Sequence, residues 1–128
     1  GVEVTAMAVY GNAIGTPAAE AIAFYERAIA VATGLGARVL GTITGRDTSL
    51  SIDDNLALMV ERFGPIADLA QSAGVRIGLE PWPGRVTGYG PYRWTNLALS
   101  PLMYDRIFGL LPQAALGIEK CGLIARCA

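Results

Sequence analysis

The 128-residue sequence has no histidine and only two cysteines. Without His, these residues alone cannot build a Ser-His-Asp triad, a Cys-His pair, an HExxH zinc site or any metal set that needs imidazole. Chemistry carried here runs on carboxylates, hydroxyls, backbone groups or a thiol. Cys121 and Cys127 have five residues between them, a spacing that fits neither a CxxC redox motif nor a zinc ribbon, and both are expected to be reduced thiols. An excess of one charge is missing too, with 10 Lys+Arg against 11 Asp+Glu and a formal net charge of −1. Basic clusters are needed to hold phosphate, so nucleic acid and an anionic membrane surface are not expected partners. Long hydrophobic runs are also lacking: the most apolar stretch, residues 18–37, is broken by Glu20, Glu26 and Arg27. We expect no spanning helix, no signal peptide and a cytoplasmic location.

Apolar residues are abundant overall, at 52%, with a mean hydropathy of +0.40. That is high for a domain of this size and suggests apolar surface facing something absent. The chain also opens at Gly1 directly into a strand-like run, residues 2–10. Both features lead us to expect a piece of something longer.

Turn signals divide the chain into strand-then-helix units. A first strand over 2–10 is followed by a Gly-rich turn and by Thr16-Pro17, an N-cap and N1 pair that starts a helix running to about Gly34. Ile22, Tyr25, Ile29 and Ala32 mark its apolar face. A buried strand over 37–43 follows. Ser51 and Asp54 open a second helix as a capping box, and Leu56, Met59, Val60, Phe63, Ala67 and Ala70 form its stripe. Pro65 is expected to kink this helix and Gly74 to end it. A third strand over 75–80 leads into a long irregular segment, 81–96. Ser100-Pro101 then opens a third helix bearing Tyr104, Ile107, Phe108 and Leu111, before a fourth strand over 114–119.

Strand starts at 2, 37, 75 and 114 are 35, 38 and 39 residues apart. The string GARVLG at 36–41 recurs as GVRIGL at 74–79, an offset of 38. Alternating βα units with short apolar strands predict an α/β fold with a parallel sheet, which a doubly wound sheet and a TIM barrel both satisfy. A TIM barrel takes roughly 250 residues for eight units. Three and a half units in residues 1–128 then amount to about half a (β/α)8 barrel, with open strand edges that account for the apolar excess.

Working residues of such folds sit at the C-terminal ends of strands. Those positions here are Tyr10-Gly11-Asn12, Thr42-Ile43-Thr44, Glu80 and Glu119. Glu80 is the sharpest of them, an acid closing an apolar strand and held extended by Pro81. It suits a hard-cation ligand or a general base; the plainer alternative is that it begins a solvated loop. Residues 11–15 before Thr16-Pro17 could cradle a phosphate, but without GxGxxG a tight βα turn is favoured. Gly34-Leu35-Gly36 lies between helix and strand, the reverse of a dinucleotide fingerprint. Trp82, Tyr89, Tyr92 and Trp94 share the long segment with Arg85 and Arg93, a mixture suited either to stacking on a sugar and closing a lid or to packing the loop on its scaffold. Asn12, Thr44, Trp82 and Trp94 are the substrate-binding candidates. Asp53 and Asp54 read as capping residues, and Asp47, Asp68 and Asp105 as surface charges.

The succession AQSAGVR (70–76), IGLEP (77–81), NLALSP (96–101), FGLLP (108–112) and Leu116-Gly117 resembles the xylose-isomerase-like sugar phosphate isomerase/epimerase family. The similarity reaches back through ATGLGA (32–37) and covers residues 2 to about 119. The resemblance implies a divalent-metal TIM barrel that moves a proton between adjacent carbons of a sugar or sugar phosphate through an enediolate. It makes Glu80 both a metal ligand and one of two acid/base carboxylates, with an Asp, a His and a second Glu on later strands. Oxygen-rich ligation favours Mn²⁺ or Mg²⁺, with Co²⁺ or Zn²⁺ possible once His joins.

The family pattern also expects, after Gly117, a strand ending in Asp with a His three residues on. Counting forward places Cys121 and Ile124 there, and neither serves a hard metal. Glu119 shares strand parity with Cys121 and is the available substitute, and residues 119–128 read as an atypical tail. The expected function is thus a fragment of a metal-dependent sugar isomerase/epimerase, inactive alone. The alternative is a non-catalytic half-barrel that self-associates into a homo-oligomer or binds a small ligand. An endonuclease acting on abasic DNA is disfavoured by the neutral charge.

Overall fold

Four parallel strands, three of them followed by a helix, carry the chain. The computed structural model describes residues 1–84, 94–113, 115–120 and 123–125. In order they form β1 (Ala6–Ala8), α1 (Ala18–Gly34), β2 (Val39–Thr42), α2 (Ile52–Ser72), β3 (Arg76–Leu79), α3 (Pro101–Leu110), β4 (Leu116–Lys120) and β5 (Leu123–Ala125). The sheet order is β1-β2-β3-β4-β5. The first four strands are parallel, and β5 pairs antiparallel with β4.

The strands are shorter than the apolar runs that encode them. The run over 2–10 contributes only Ala6–Ala8 to β1, because its partner β2 offers Val39 to Gly41 opposite it. One further bond at each end, Arg38 N–H to Thr5 O at 3.2 Å and Val9 N–H to Gly41 O at 2.9 Å, completes that ladder. The antiparallel β5 departs from the uniformly parallel expectation. It sets Glu119 opposite Ile124 in the ladder, so Ile124 lies on a returning strand and not beyond the end of β4. Cys121, Cys127 and the loop residues Arg85, Tyr89, Tyr92 and Arg93 lie outside the described residues.

Helix boundaries follow capping chemistry. Ser51 Oγ accepts from Asp54 N–H at 3.1 Å, the first bond of the box expected from sequence, and donates to Asp54 Oδ2 at 2.6 Å, so the carboxylate takes the Ser51 hydroxyl where the box would take its backbone N–H. Ser100 Oγ accepts from Met103 N–H at 3.3 Å, with Pro101 opening α3. At α1 the expectation is off by one residue: Pro17 holds the N-cap without a side-chain bond. The Thr16 hydroxyl is turned back to donate to Asn12 O at 2.7 Å. Helix α2 runs through Pro65 to Ser72 without ending.

The 38-residue repeat marks a repeated helix stop. Gly36 and Gly74 have φ of 76° and 69°. Gly36 N–H donates to Thr33 O and Ala37 N–H to Ala32 O; Gly74 N–H donates to Gln71 O and Val75 N–H to Ala70 O. Both pairs are Schellman closures, in which a left-handed glycine satisfies the last carbonyls and turns the chain into the next strand.

Helix-facing strand residues Leu40, Ile77, Leu79 and Leu116 are fully buried against Tyr25, Met59, Phe63, Ile66 and Ile107. The α2 stripe is buried at Leu56, Met59, Phe63, Ala67 and Ala70, while Val60 lies at its margin, 37% exposed. Among the described residues no helix is long and apolar enough to cross a membrane. Phe63→Ala is expected to lower the unfolding free energy by about 3–5 kcal/mol through loss of packing and an unfilled cavity. Val60→Ala should change it by less than about 0.5 kcal/mol. Urea midpoints at unchanged slope measure both.

Tyr25 Oη shares a 2.6 Å hydrogen bond with Thr42 Oγ1 in the interior. Burial pushes the phenol from its ordinary 10.0 up to about 12, against the opposing pull of the Thr42 bond. The folded value is the higher one, so the neutral phenol's stabilisation is complete below pH 10 and is lost as pH rises through about 12. Wild type should therefore lose stability across that alkaline window, and Tyr25→Phe should flatten this part of a pH series of urea melts.

Candidate active site

Register aligns Ala8, Gly41, Gly78 and Gly117 across the four parallel strands. Side chains alternate along a strand, so this row lies on the sheet face opposite Leu40 and Ile77, away from the helices. Two residues further on, the same face carries Tyr10, Ile43 and Glu80. The ladder reaches this level, since Glu80 N–H donates to Thr42 O at 2.7 Å. Glu80 thus keeps strand geometry at the C-terminal end of β3. Tyr10, Glu80 and Trp82 line an open cleft of about 420 Å³.

Of the residues singled out from sequence, Glu80 and Trp82 share this cleft, and Trp82 is 53% exposed. Trp94 is 37% exposed and is not among the described lining residues. Asn12 joins two βα loops. Its Oδ1 accepts from Gly15 N–H at 2.9 Å and Arg46 N–H at 3.0 Å, and its Nδ2 donates to Arg46 O at 3.3 Å. A Cβ at Gly45 would overlap the Asn12 amide. The turn over 11–15 therefore spends the Gly15 N–H on Asn12, and the small cavity beside it is lined by Glu20, a poor neighbour for an anion. That agrees with the tight-turn reading over a phosphate cradle. Thr44 is fully buried. Its hydroxyl lies 2.6 Å from Asn96 Oδ1 and accepts from Leu97 N–H at 3.0 Å. Thr44, a substrate-binding candidate by its strand-end position, thus spends its hydroxyl on the loop that carries Asn96.

Three residues at the site are not among the site candidates chosen from sequence. Tyr10, one of the strand ends considered, occupies just beyond β1 the level that Glu80 occupies just beyond β3, a match legible only once the register is known. Tyr104, from α3, donates its hydroxyl to Leu79 O at 2.8 Å, directly before Glu80. Asn96 is buried with five hydrogen bonds in the structure; a lone amide ahead of the apolar run 97–99 was its signal. Two other acids, Asp53 and Asp47, are engaged away from the cleft. Asp53 pairs with Arg106 at 2.6 Å on the surface. Asp47 accepts from Ser49 through Oδ1, which holds its carboxyl below the ordinary range.

Among the described residues no three His, Cys, Asp or Glu side chains gather as a metal site. Glu80 offers one carboxylate, so the described residues do not complete a divalent-ion site. Gly45 offers a direct test of how the loops around the cleft are held. Gly45 and Gly36 both have positive φ, 73° and 76°, but the Cβ position of Gly36 is open. Gly36→Ala should cost about 1–2 kcal/mol, the left-handed penalty alone. Gly45→Ala should cost clearly more and lower the thermal midpoint further, because it also displaces Asn12.

The family model of the xylose isomerase-like TIM barrel matches residues 1–106. No curated protein matches the chain. Among solved structures, the probable 3-DHS dehydratase AsbF of petrobactin synthesis from Bacillus anthracis matches with a TM-score of 0.70 and 15% identity over 91% of this chain and 39% of that one. An L-ribulose 3-epimerase matches with a TM-score of 0.69 and 17% identity, over 90% of this chain and 40% of its own. The IolI protein with a bound zinc atom matches with a TM-score of 0.66 and 14% identity, over 91% and 40%. The chain thus spans about two fifths of the length of the structures it matches, and at these identities the likeness is one of fold. Four parallel strands with alternating helices form the corresponding part of a TIM barrel, and the chain belongs to the xylose isomerase-like TIM barrel family.

Proposed function

We propose that this chain supplies the Glu80 side of the active site in a sugar isomerase/epimerase, one that moves a proton between adjacent carbons of a small sugar or sugar phosphate. The observation that carries this reading is Glu80 itself, placed at the C-terminal end of β3 in an open cleft beside Tyr10 and Trp82. Family membership and neighbours that include an epimerase and a dehydratase support it. In this reading the Glu80 carboxylate takes the proton from the carbon next to the substrate carbonyl. The electron pair left behind passes into an enediolate, and a proton returned to the neighbouring carbon or to the opposite face completes the reaction. In this reading Trp82 presents its aromatic face to the C–H side of the sugar, and Trp94, outside the described cleft lining, is a further aromatic of the same segment.

A divalent ion, Mn²⁺ or Mg²⁺ by oxygen ligation and Co²⁺ or Zn²⁺ as alternatives, is the cofactor this reading takes from the family. One neighbour has zinc bound. Glu80 is the ligand this chain would contribute, and it does not hold the ion alone. The reaction is placed in the cytoplasm, without nucleic acid or membrane partners, on the balanced charge and low cysteine count.

The strand β5 favours one other reading, a non-catalytic half-barrel that self-associates or binds a small ligand. By pairing with β4 it takes the edge where a fifth parallel strand would join. Solvent-deuterium exchange into a panel of ketoses and ketose phosphates, followed by proton NMR on the complete gene product with added Mn²⁺, separates the two. Exchange that drops by about 10²–10⁴-fold in Glu80→Gln, with KM changed far less, supports the acid/base role. Exchange undiminished in Glu80→Gln overturns it, and no exchange from a protein that sediments as a dimer favours the half-barrel.

A further inference from the structure

The β2–β3 ladder stops one rung before the cleft, and a side chain takes its place. Arg76 N–H donates to Arg38 O and Glu80 N–H to Thr42 O. In a regular parallel pair the next rung would run from Thr44 N–H to Glu80 O. Instead the buried Asn96 amide stands between them. Its Oδ1 accepts from Thr44 N–H at 3.1 Å and from Thr44 Oγ1 at 2.6 Å. Its Nδ2 donates to Glu80 O at 2.9 Å, Trp82 O at 2.8 Å and Ala98 O at 3.3 Å.

We propose that Asn96 is a positioning residue that splays β2 from β3 and thereby fixes where the Glu80 carboxylate and the Trp82 ring stand. The chain leaving β3 cannot do this for itself. Pro81 and Pro83 have no N–H to give, so the segment is held largely through its carbonyls, and the Asn96 amide gathers those of residues 80 and 82. An inserted carboxamide holds the two backbones one side chain apart where a direct rung would close them. The catalytic consequence rests on the reading of Glu80 as the working carboxylate, whereas the splaying does not.

The test is ¹⁹F NMR of 5-fluorotryptophan at position 82, in a Trp94→Phe background, on the chain with and without Asn96→Asp. The introduced carboxylate can still accept from Thr44 but cannot donate to the carbonyls of Glu80 and Trp82. The N96D resonance should therefore move from the parent position toward that of free fluorotryptophan at neutral pH. Burial raises the pKa of a carboxyl, and its protonated form can donate again. On acidification the N96D resonance should accordingly return toward the parent value. Acid acts on the rest of the protein as well, so the parent at each pH is the reference. A resonance identical to the parent throughout overturns the proposal, as does a shift that acid does not reverse. If N96D does not fold, Thr44→Val carries the test: removing the hydroxyl should shift the resonance in the same direction, and an unchanged resonance overturns the proposal. A positive ¹⁹F result together with undiminished exchange in Glu80→Gln would leave the splaying in place and remove only the acid/base reading.

Discussion

The parallel register of the strands governs everything at the cleft. Because Ala8, Gly41 and Gly78 align, the residues two places on share a level, and Glu80 and Tyr10 come to line one cleft. That register is set at the helix ends. The two Schellman closures at Gly36 and Gly74 deliver β2 and β3 to the sheet in the same phase, and a slip of one residue would turn Glu80 into the helix layer and Leu79 into the cleft.

Much of this was legible in the sequence, for identifiable reasons. The βα alternation, the Ser51 and Ser100 caps, the α2 stripe and the repeat at the helix stops are local signals, each decided within a few residues. Glu80 stood out because an acid at the end of an apolar strand conflicts with its surroundings. What could not be read depends on contacts distant along the chain. The role of Asn96 requires knowing that residue 44 lies beside residue 80, and Thr44 reads as a polar strand end until its partner 52 residues away is placed. Thr16 misled because Ser/Thr before Pro is a strong capping signal, and only the fold reveals that its hydroxyl is already bound to Asn12.

Two asparagines do related work from opposite sides. Asn12 links the loops after β1 and β2, and Asn96 links the exits of β2 and β3. Loops have no ladder to hold them, and a carboxamide, with donor and acceptor on one planar group, can bond two backbones at once. The Asn96 site has little tolerance, since a buried donor or acceptor left without a partner costs more than the bond itself contributes. The strand ends are consequently tied in series, from β1 through β2 to β3.

The row of Ala8, Gly41, Gly78 and Gly117 has a bearing on how the cleft can respond to what enters it. Barrel interiors are ordinarily filled by layers of branched side chains that can change rotamer. In this row, one level below Glu80, the four strands themselves carry nothing longer than a methyl group. Such a row has no rotamers with which to follow the shape of a ligand. Rotamer change at this end of the strands falls to the level above, where Tyr10, Glu80 and Trp82 line the cleft.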